Sequence, residues 1–393
     1  MRVTELAPLR IAFTNIPRRA WAGGYNYQRN LFEALNRYRP GEIAPVLFAD
    51  PNDDADEITA LANVPGVEVH RSAAFDRTGH GLFKAVAFGI DRPAAEQFRA
   101  CRVDIVFEAA RFFGWRLPLP AIAWFPDLQH RMLPELFPAS ARWRREVGFR
   151  IQIASGRMIM LSSESALRDF KTHYHGATNR TCTVRFATQP SSALLSENPT
   201  AVAAKYRLPE RYFYLPNQFY RHKNHQVVVD ALTALQQKGI DVVVCASGST
   251  EDQREPGYFD QVMAQVRSRG LENRFVHLGM IPLSEVYALM RASVALINPS
   301  RFEGWSTTVE EAKFFGIPLI LSNLEVHREQ TANTASYFGT DDPEALADHL
   351  VRAFQACTLR VIRNPVPHQQ GRVISFADDF VSAVRQAIRS FRR

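Results

Sequence analysis

The chain has few cysteines and no long uncharged apolar run. Its four cysteines, Cys101, Cys182, Cys245 and Cys357, stand far apart. Because they have no paired spacing, they indicate neither a disulfide framework nor a cysteine metal cage. No run of about 18 uncharged apolar residues occurs, and the N-terminal residues lack a sustained hydrophobic segment with a cleavage site. The sequence therefore predicts a cytoplasmic protein without a signal peptide or a spanning helix.

Low-complexity segments and internal repeats are also missing from the sequence. Hydrophobic residues make up 46% of the chain and charged residues 22%, which is an ordinary balance for a protein that buries large cores. Because 393 residues exceed what one hydrophobic core usually fills, the length predicts two domains.

The charge is strongly basic, with a net charge of +7 and a pI near 9.4. Such a surface attracts an anionic partner, which could be nucleic acid, acidic lipid or a phosphorylated ligand. Arginines cluster at residues 142–150 and 385–393, where aromatic residues interleave with them as in an interfacial helix. A solvated basic face is the alternative interpretation.

Short aliphatic runs alternate with longer amphipathic segments along the whole chain, which indicates βα units on parallel sheets. A stretch rich in Ser and Pro at residues 186–203 predicts a linker. We therefore expect two doubly wound α/β domains at residues 1–190 and 204–371, with a helix at 372–393 that packs back on the first domain. Ligands bind beyond the carboxyl ends of such strands, so two facing domains would form a cleft.

One segment, "NPSRFEGWSTTVEEAKFFGIPLILS" at 298–322, reads as a strand end, a polar loop and a short helix. Free N–H groups of Ser306, Thr307 and Thr308 at the start of that helix would form an anion site that suits a diphosphate. Glu303 and Glu311 on either side could accept hydrogen bonds from vicinal hydroxyls. The alternative is that acids simply favour helix N-termini.

This segment resembles the E-x7-E signature of the family-4 retaining glycosyltransferases, which have the GT-B fold. Five further segments resemble the family in their order along the chain. They are "AGGYNYQRNL", "SSESALRDF", "YFYLPNQFYRHKNHQVVVDAL", "VVVCASGSTED" and "RFVHLGMIPLSEVYALMRASVALINPSRFEG". The resemblance covers roughly residues 10 to 355. It implies two Rossmann-like domains facing a cleft, and transfer of a sugar from a nucleotide-sugar donor to an acceptor hydroxyl. It also implies a place in bacterial polysaccharide or glycolipid biosynthesis.

The resemblance implies roles for the residues of this segment. Glu303 matches the position that contacts the donor sugar, and Glu311 matches the one that holds the ribose hydroxyls. The turn between them would hold the diphosphate, and it contains Gly304, Trp305, Ser306, Thr307 and Thr308.

A cation is implied opposite these groups. Lys223 matches the family lysine that faces the phosphates, a suitable role for a flexible point charge. The family usually has an arginine five positions earlier, where this chain has Gln218. That departure weakens the expected phosphate clamp, although Arg221 could supply a guanidinium. A surface lysine is the alternative for Lys223.

Glycines are implied close to the donor. Gly23 and Gly24 match the paired glycines of the first βα loop, which let the backbone approach the phosphate end of the donor. A plain tight turn is the alternative for this pair. Gly248, Ser249 and Met280 would line the nucleotide pocket.

The acceptor side departs furthest from the family, whose members often have a His-Asp pair at a strand end. Here the strand end reads "AWFPDLQH", so Pro126 replaces the histidine and Asp127 keeps the acid. His130 could enter the site from a different register. The alternatives are a capping Asp127 and a surface His130. In this family's front-face mechanism the donor phosphate accepts the acceptor proton, so a missing base does not abolish the chemistry.

No metal or cofactor is expected. Asp54 and Asp56 form a D-x-D run, but solvated loop charge is the favoured interpretation because they lie far in sequence from the donor segment. The pairs His222 with His225 and His173 with His175 lack partners at metal-ligand spacing.

The expected partners are a nucleotide-sugar donor, a glycan or lipid-linked acceptor and an anionic membrane surface, without nucleic acid. Localisation would be cytoplasmic, with peripheral attachment at the inner face of the membrane. Two alternatives stay open: a nucleotide-sugar epimerase or hydrolase on the same fold, and a non-catalytic basic nucleic-acid-binding protein. Product analysis distinguishes an epimerase or hydrolase from a transferase. Strongly salt-dependent binding to nucleic acid would indicate the nucleic-acid-binding protein.

Overall fold

The chain folds into two compact α/β units in a computed structural model. The first unit comprises Met1–Leu128, Ser140–Ala187 and Gln370–Arg393, and the second comprises Gln129–Ala139 and Thr188–Gln369. Apart from the side chains of His80 and His368, the structure describes residues 7–76, 80–109, 111–252 and 254–391. The first six residues of the predicted first domain and the last two arginines of the basic C-terminal stretch lie outside these ranges.

The first unit is built on a seven-stranded parallel sheet with the strand order β3-β2-β1-β4-β5-β6-β7. Its strands are β1 (Leu9–Thr14), β2 (Ile43–Ala49), β3 (Glu68–Arg71), β4 (Ile105–Ala109), β5 (Ala121–Phe125), β6 (Met158–Leu161) and β7 (Thr181–Thr183). Its helices are α1 (Ala22–Tyr38), α2 (Ala55–Ala62), α3 (His80–Ala87), α4 (Arg92–Ala100), α6 (Ala139–Ala154), α7 (Glu164–His173) and α15 (Gln370–Phe391). Strands β5 and β6 are wholly apolar and wholly buried, as expected for parallel strands covered on both faces.

The last helix, α15, completes the core of the first unit. Phe380 packs 6.1 Å from Phe13 and 5.7 Å from Phe107, and Phe376 packs 5.6 Å from Tyr27, between ring centroids. The apolar side chains of α15 that precede residue 385 are therefore part of the core of the first unit, whereas Phe391, within the predicted interfacial stretch 385–393, is 51% exposed. Arg385 on the outer face pairs with Glu42 at 2.7 Å.

The second unit has a six-stranded parallel sheet with the order β10-β9-β8-β11-β12-β13. Its strands are β8 (Phe213–Leu215), β9 (Val244–Ala246), β10 (Phe275–His277), β11 (Leu296–Asn298), β12 (Leu319–Ser322) and β13 (Ser336–Phe338). Its helices are α5 (Gln129–Met132), α8 (Pro199–Lys205), α9 (His225–Gln237), α10 (Tyr258–Ser268), α11 (Leu283–Ala292), α12 (Thr307–Phe314), α13 (Glu325–Thr331) and α14 (Pro343–Ala356).

The sheet of the second unit separates two apolar cores. Phe213 and Leu215 join the core on one face, whereas Tyr212 and Tyr214 join the core on the other, as the two-residue period of a strand requires. The strand order reverses between β8 and β11, which are neighbours in the sheet. In doubly wound sheets such a switch point opens a crevice at the carboxyl ends of the strands, where ligands bind.

Residues 129–139 group with the second unit, although the predicted first domain included them. Arg254 holds this segment, since its Nη1 donates to Gln129 Oε1 at 3.0 Å and its guanidinium lies 5.5 Å from the Phe137 ring. Hydrophobic periodicity could not show this, because the contact joins residues more than a hundred positions apart. None of the described helices is long and apolar enough to cross a membrane.

Candidate functional site

A buried ion pair lies at the switch point of the second sheet. Lys223 Nζ stands 2.6 Å from Glu303 Oε1, and the two side chains are only 18% and 9% exposed. Lys223 ends a 3₁₀ turn in the connection after β8, and Glu303 lies in the loop after β11. The fold thus brings together two residues that the sequence predicted for one site.

The Glu303 carboxylate is held in place by further donors. Its Oε1 accepts hydrogen bonds from Ser300 Oγ at 2.7 Å and from Asn298 Nδ2 at 3.3 Å. Burial alone would raise the pKa of Glu303, but the Lys223 ammonium outweighs that effect and the pKa is lowered to about 2. Glu303 is therefore ionised at neutral pH and acts as a hydrogen-bond acceptor.

Asn224 fixes the turn that carries Lys223. Its backbone is left-handed, with φ of 57° and ψ of 43°, a conformation that asparagine tolerates better than most residues. Its Nδ2 donates to the carbonyl oxygens of Pro299 at 3.1 Å and Thr340 at 2.8 Å. The backbone N–H of Arg301 also donates to the carbonyl of His222 at 2.7 Å. The lysine turn and the glutamate loop are therefore tied together through their backbones.

Helix α12 begins next to this ion pair. Ser306 caps it, because its Oγ accepts from the N–H of Val309 at 3.5 Å and is itself bound by Asn298 Nδ2 at 2.8 Å. The N–H of Ser306 donates to Gln330 Oε1 at 3.3 Å, so the prediction that this group is free is wrong. The N–H groups of Thr307 and Thr308 belong to the first turn, where no intrahelical acceptor exists. These two groups remain for an anion.

Glu311 lies one turn into α12, on the far side of the loop from Glu303. Tyr287 from α11 donates to its Oε1 at 3.1 Å, which orients the carboxylate. Gly304 and Trp305, in the loop between the two acids, are both half-buried.

The three loops at the carboxyl ends of β8, β9 and β10 meet at Gly248. Its φ is +146°, and a Cβ at this position would lie 2.6 Å from the carbonyl oxygen of Asn217. The N–H of Gly248 donates to the carbonyl of Gly279 at 3.0 Å, and the N–H of Phe219 donates to the carbonyl of Ser249 at 2.8 Å. Met280 follows this loop and is 67% exposed. Glycine is therefore required at 248 by both conformation and space.

Gly248→Ala should lower the free energy of unfolding by about 2 to 4 kcal/mol, since it adds backbone strain and a collision with Asn217. Gly257→Ala is the matched control, because Gly257 also has a positive φ, of +91°, but no atom within 4 Å of its added Cβ. In Gly257→Ala only backbone strain lowers the free energy of unfolding, by about 1 to 3 kcal/mol. Urea unfolding of both variants checks the difference, and equal losses would contradict the packing argument.

Arg221, the other cation expected at the phosphates, pairs with Glu255 in this structure. Its Nη1 lies 3.1 and 3.2 Å from the two carboxylate oxygens of Glu255, and its side chain is 57% exposed. Gln218 is half-buried. Lys223 is therefore the cation that pairs with Glu303, whereas Arg221 pairs with Glu255.

The histidines around the ion pair are neutral. Burial lowers the pKa of His222 well below its usual value, with Lys223 adding to the shift, and it lowers the pKa of His225 to about 3. Burial also lowers the pKa of His327, which lies against the carbonyl of Ser322 with an Nδ1 distance of 2.9 Å. Positive charge at this site therefore comes from lysine and arginine.

The acceptor-side candidates lie in different compact units. Asp127 belongs to the first unit, where its Oδ1 pairs with Arg145 Nη2 at 2.5 Å. His130 belongs to the second unit and is fully buried, so the alternative of a surface histidine is wrong.

Gly23 and Gly24 lie inside the first turn of α1 and not in the loop before it, which corrects the predicted loop position. A Cβ on Gly24 would lie 2.3 Å from the Trp21 ring, whose centroid is 5.2 Å from that of Trp124. Gly24 thus makes room for an indole, a packing role that its motif did not reveal.

Asp54 caps helix α2, since its side chain accepts from the N–H groups of Asp56 and Glu57 at 2.9 and 3.0 Å. The Asp54 side chain of the D-x-D run therefore stabilises the start of α2. Within the described ranges, no group of three or more His, Cys, Asp or Glu side chains could hold a metal ion.

Part of the second unit matches a known protein family. Residues 203–358 match the family described as glycosyl transferases group 1, and this range contains Lys223, Gly248, Glu303 and Glu311. The match assigns this part of the chain to the group 1 glycosyl transferases.

Relatives agree with this assignment. The chain is 22% identical over 265 residues to the O-antigen chain mannosyltransferase B of Escherichia coli, and the match covers 66% of this chain and 68% of that protein. A Rickettsia africae glycosyltransferase structure has a TM-score of 0.69 at 14% identity, covering 99% of this chain and 100% of that one. Anabaena HepE, solved in complex with UDP and glucose, has a TM-score of 0.62 at 16% identity, covering 98% and 97%. The fold is accordingly GT-B, with two Rossmann-like units.

Sequence reasoning missed four residues of this candidate site: Asn224, Asn298, Ser300 and Gln330. Asn298 and Ser300 stand at the carboxyl end of β11, and polar side chains at that end of a parallel strand are a usable signal. Gln330 reaches back across 24 positions to bind both the N–H and the carbonyl of Ser306. No local pattern marks that contact.

Proposed function

We propose that this enzyme transfers a sugar, with retention at the anomeric carbon, from a nucleoside diphosphate sugar to an acceptor hydroxyl. The observation that carries the proposal is the Lys223–Glu303 ion pair at 2.6 Å, set beside the first turn of α12 at the switch point. A cation, a helix N-terminus and an ionised carboxylate together match a diphosphate joined to a polyhydroxylated ring.

Lys223 is the proposed ligand of the diphosphate. An ammonium has three N–H donors, and Glu303 occupies one of them, so the others can reach phosphate oxygens. The N–H groups of Thr307 and Thr308, with the dipole of α12, offer a second anchor. As the leaving diphosphate gains charge, these fixed donors stabilise it without reorganising.

Glu303 is proposed to orient the donor sugar. With a pKa of about 2 it cannot serve as a proton donor at neutral pH, and its Oε1 is bound by Lys223, Ser300 and Asn298. Its second oxygen is then the acceptor for a sugar hydroxyl. Glu311, oriented by Tyr287, is proposed to accept from the ribose hydroxyls, with Gly248, Ser249 and Met280 near the base.

In the proposed reaction the bond between the anomeric carbon and the phosphate oxygen breaks. The acceptor oxygen forms its new bond on the same face of the ring. The acceptor proton passes to the leaving phosphate oxygen, so atoms and charge balance without a protein base, and Asp127 and His130 are not required as bases. Electrostatic stabilisation and positioning supply the catalysis, and neither a metal ion nor a cofactor takes part.

The names of the relatives suggest a physiological context. The Escherichia coli relative is an O-antigen chain mannosyltransferase, and HepE was solved with UDP and glucose. We propose a role in polysaccharide or glycolipid assembly, with a glycan or lipid-linked acceptor. A cytoplasmic enzyme held at the inner face of the membrane would meet such acceptors.

A thermal-shift screen against UDP, GDP and ADP tests donor binding. At a hundred times its Kd, the correct nucleotide should stabilise the protein by about 2.7 kcal/mol. The matching nucleotide sugar, incubated with candidate acceptors in excess EDTA, should then give a product with the donor's anomeric configuration. Activity lost to EDTA and restored by Mg²⁺ or Mn²⁺ would contradict the metal-free mechanism. Conversion of the donor without an acceptor would favour an epimerase or hydrolase instead.

A further inference from the structure

Helix α3 in the first unit carries its large apolar side chains on the outside. Gly81 and Ala85, one turn apart, face inward: a Cβ on Gly81 would lie 2.5 Å from Asp91 Oδ2, and Ala85 is 0% exposed. Leu82, Phe83 and Val86 are 51%, 67% and 39% exposed. A helix that faces only water has the opposite arrangement, with apolar residues inside and polar residues outside.

The exposed apolar surface continues past the end of the helix. Phe88 is 64% exposed and Trp115 is 50% exposed. Gly89 lies directly under the Trp115 and Arg116 side chains, because a Cβ at position 89 would lie 2.8 Å from Trp115 Nε1 and 2.7 Å from Arg116 Cδ. The N–H of Arg116 also donates to the carbonyl of Gly89 at 2.8 Å. We call this surface the α3 patch, and it consists of Leu82, Phe83, Val86, Phe88 and Trp115.

The charge within and beside the α3 patch is positive. Lys84 and Arg116 are exposed, and residues 81–90 and 111–120 contain no Asp or Glu. Asp91, which follows directly, is 1% exposed and lies 3.5 Å from Arg111, so its charge is turned inward. Exposed aromatic and aliphatic side chains among cations fit the boundary between lipid headgroups and acyl chains.

We propose that the α3 patch docks this protein on the surface of an anionic lipid bilayer. The apolar side chains enter the boundary region, and Lys84 and Arg116 contact acidic headgroups. This surface is distinct from the C-terminal helix, whose apolar face is buried in the first unit. The inference rests on the membrane attachment included in the proposed function and assigns the surface that makes it, although its test needs no sugar transfer.

Charge favours lipid over a second copy of the chain. A two-fold symmetric dimer would place the same patch against itself, so Lys84 and Arg116 of both copies would face one another. Like charges brought together in this way repel, whereas acidic headgroups neutralise them. The α3 patch is therefore complementary to an anionic surface and not to itself.

Co-sedimentation with lipid vesicles tests the proposal. The full chain should bind vesicles of phosphatidylcholine mixed with phosphatidylglycerol, and bind far less to phosphatidylcholine alone. Phe83→Ser/Phe88→Ser should lower the partition coefficient at least about tenfold, because two large apolar side chains are lost. Lys84→Gln and Arg116→Gln should each lower it about fivefold on the mixed vesicles. Leu359→Ser is the matched control, since Leu359 is also 67% exposed but lies in the second unit, and it should bind as the wild type does.

Several results would overturn the proposal. They are binding to neither vesicle, equal binding to both, and full binding by Phe83→Ser/Phe88→Ser while Arg385→Gln/Arg389→Gln loses it. Sedimentation that shows a wild-type dimer and a monomeric double variant, without vesicle binding, would make the patch a self-association surface. Circular dichroism establishes that the variants are folded. Nucleotide binding by thermal shift in the absence of lipid should not change, so failure here is separate from failure of the proposed function.

Discussion

Lys223→Ala is expected to lower kcat/KM by at least about tenfold, with the fold intact by circular dichroism. Its ammonium lies 2.6 Å from Glu303 and beside the start of α12, where the leaving diphosphate is proposed to bind. A hydrogen bond to a charged group contributes about 1.5 to 3 kcal/mol. Because this contact strengthens as the leaving group gains charge, kcat should fall as well as kcat/KM.

Arg221→Ala is the control for this prediction. The Arg221 guanidinium is 57% exposed and pairs with Glu255, so its removal should change kcat/KM much less than removal of the Lys223 ammonium. If Arg221 has taken over the role that Gln218 cannot fill, Arg221→Ala will be the more severe variant. Near wild-type kinetics for Lys223→Ala, with the correct donor and acceptor, would show that the phosphates bind elsewhere.

Glu303→Leu is expected to lower the free energy of unfolding by about 3 kcal/mol. Removing one partner of a buried ion pair leaves an uncompensated charge, here Lys223, and costs about 3 to 5 kcal/mol. We expect the lower value of this range because the Lys223 side chain is 18% exposed, so water partly solvates its unpaired charge. The double variant Lys223→Met/Glu303→Leu should recover most of the loss, since no buried charge remains. Denaturant unfolding of the two single variants and the double variant measures the coupling.

Lys238 and Glu344 provide a matched control. They stand 2.8 Å apart, but their side chains are 49% and 63% exposed. Solvent screens such a pair, so Glu344→Leu should leave the free energy of unfolding near the wild-type value. A double variant at the buried pair that is no more stable than Glu303→Leu would contradict the argument.

The same pair makes stability depend on pH in acid. The pKa of Glu303 falls from an ordinary 4.5 to about 2 in the folded protein, so the folded state favours the ionised carboxylate. The resulting stabilisation, about 3 kcal/mol, is fully present above the unfolded pKa and is lost as pH falls from near 4.5 through about 2. The difference in unfolding free energy between wild type and the double variant should shrink across that window.

The sequence predicted the architecture well where a strand lies within an aliphatic run. The runs that became β1, β2, β4, β5 and β6, and β8 to β12, all carried the aliphatic signal, and the two Rossmann-like sheets are confirmed. The predictions missed β3, β7 and β13. These are edge strands whose sequences, EVHR, TCT and SYF, contain at most one aliphatic residue each. Their pairing comes from the neighbouring strand and not from their own hydrophobicity.

The site could be predicted only as far as its local motif extends. Glu303, Glu311 and the start of α12 lie within a dozen positions of one another, so the sequence showed their arrangement. The donors that hold the ion pair are less visible. Asn224 reaches Thr340 across 116 positions, and Gln330 closes the loop at Ser306 across 24. Such contacts arise from the order of strands in the sheet, which no short pattern records.

The packing of α15 also sets an order of events during synthesis. The core around Phe13 and Phe107 needs Phe380, which emerges from the ribosome after every residue of the second unit. The second unit can therefore reach its native packing while the first still has an open apolar groove on α1 and its sheet. Until α15 has been synthesised, that groove leaves apolar side chains of the first unit exposed and offers a binding surface for a chaperone.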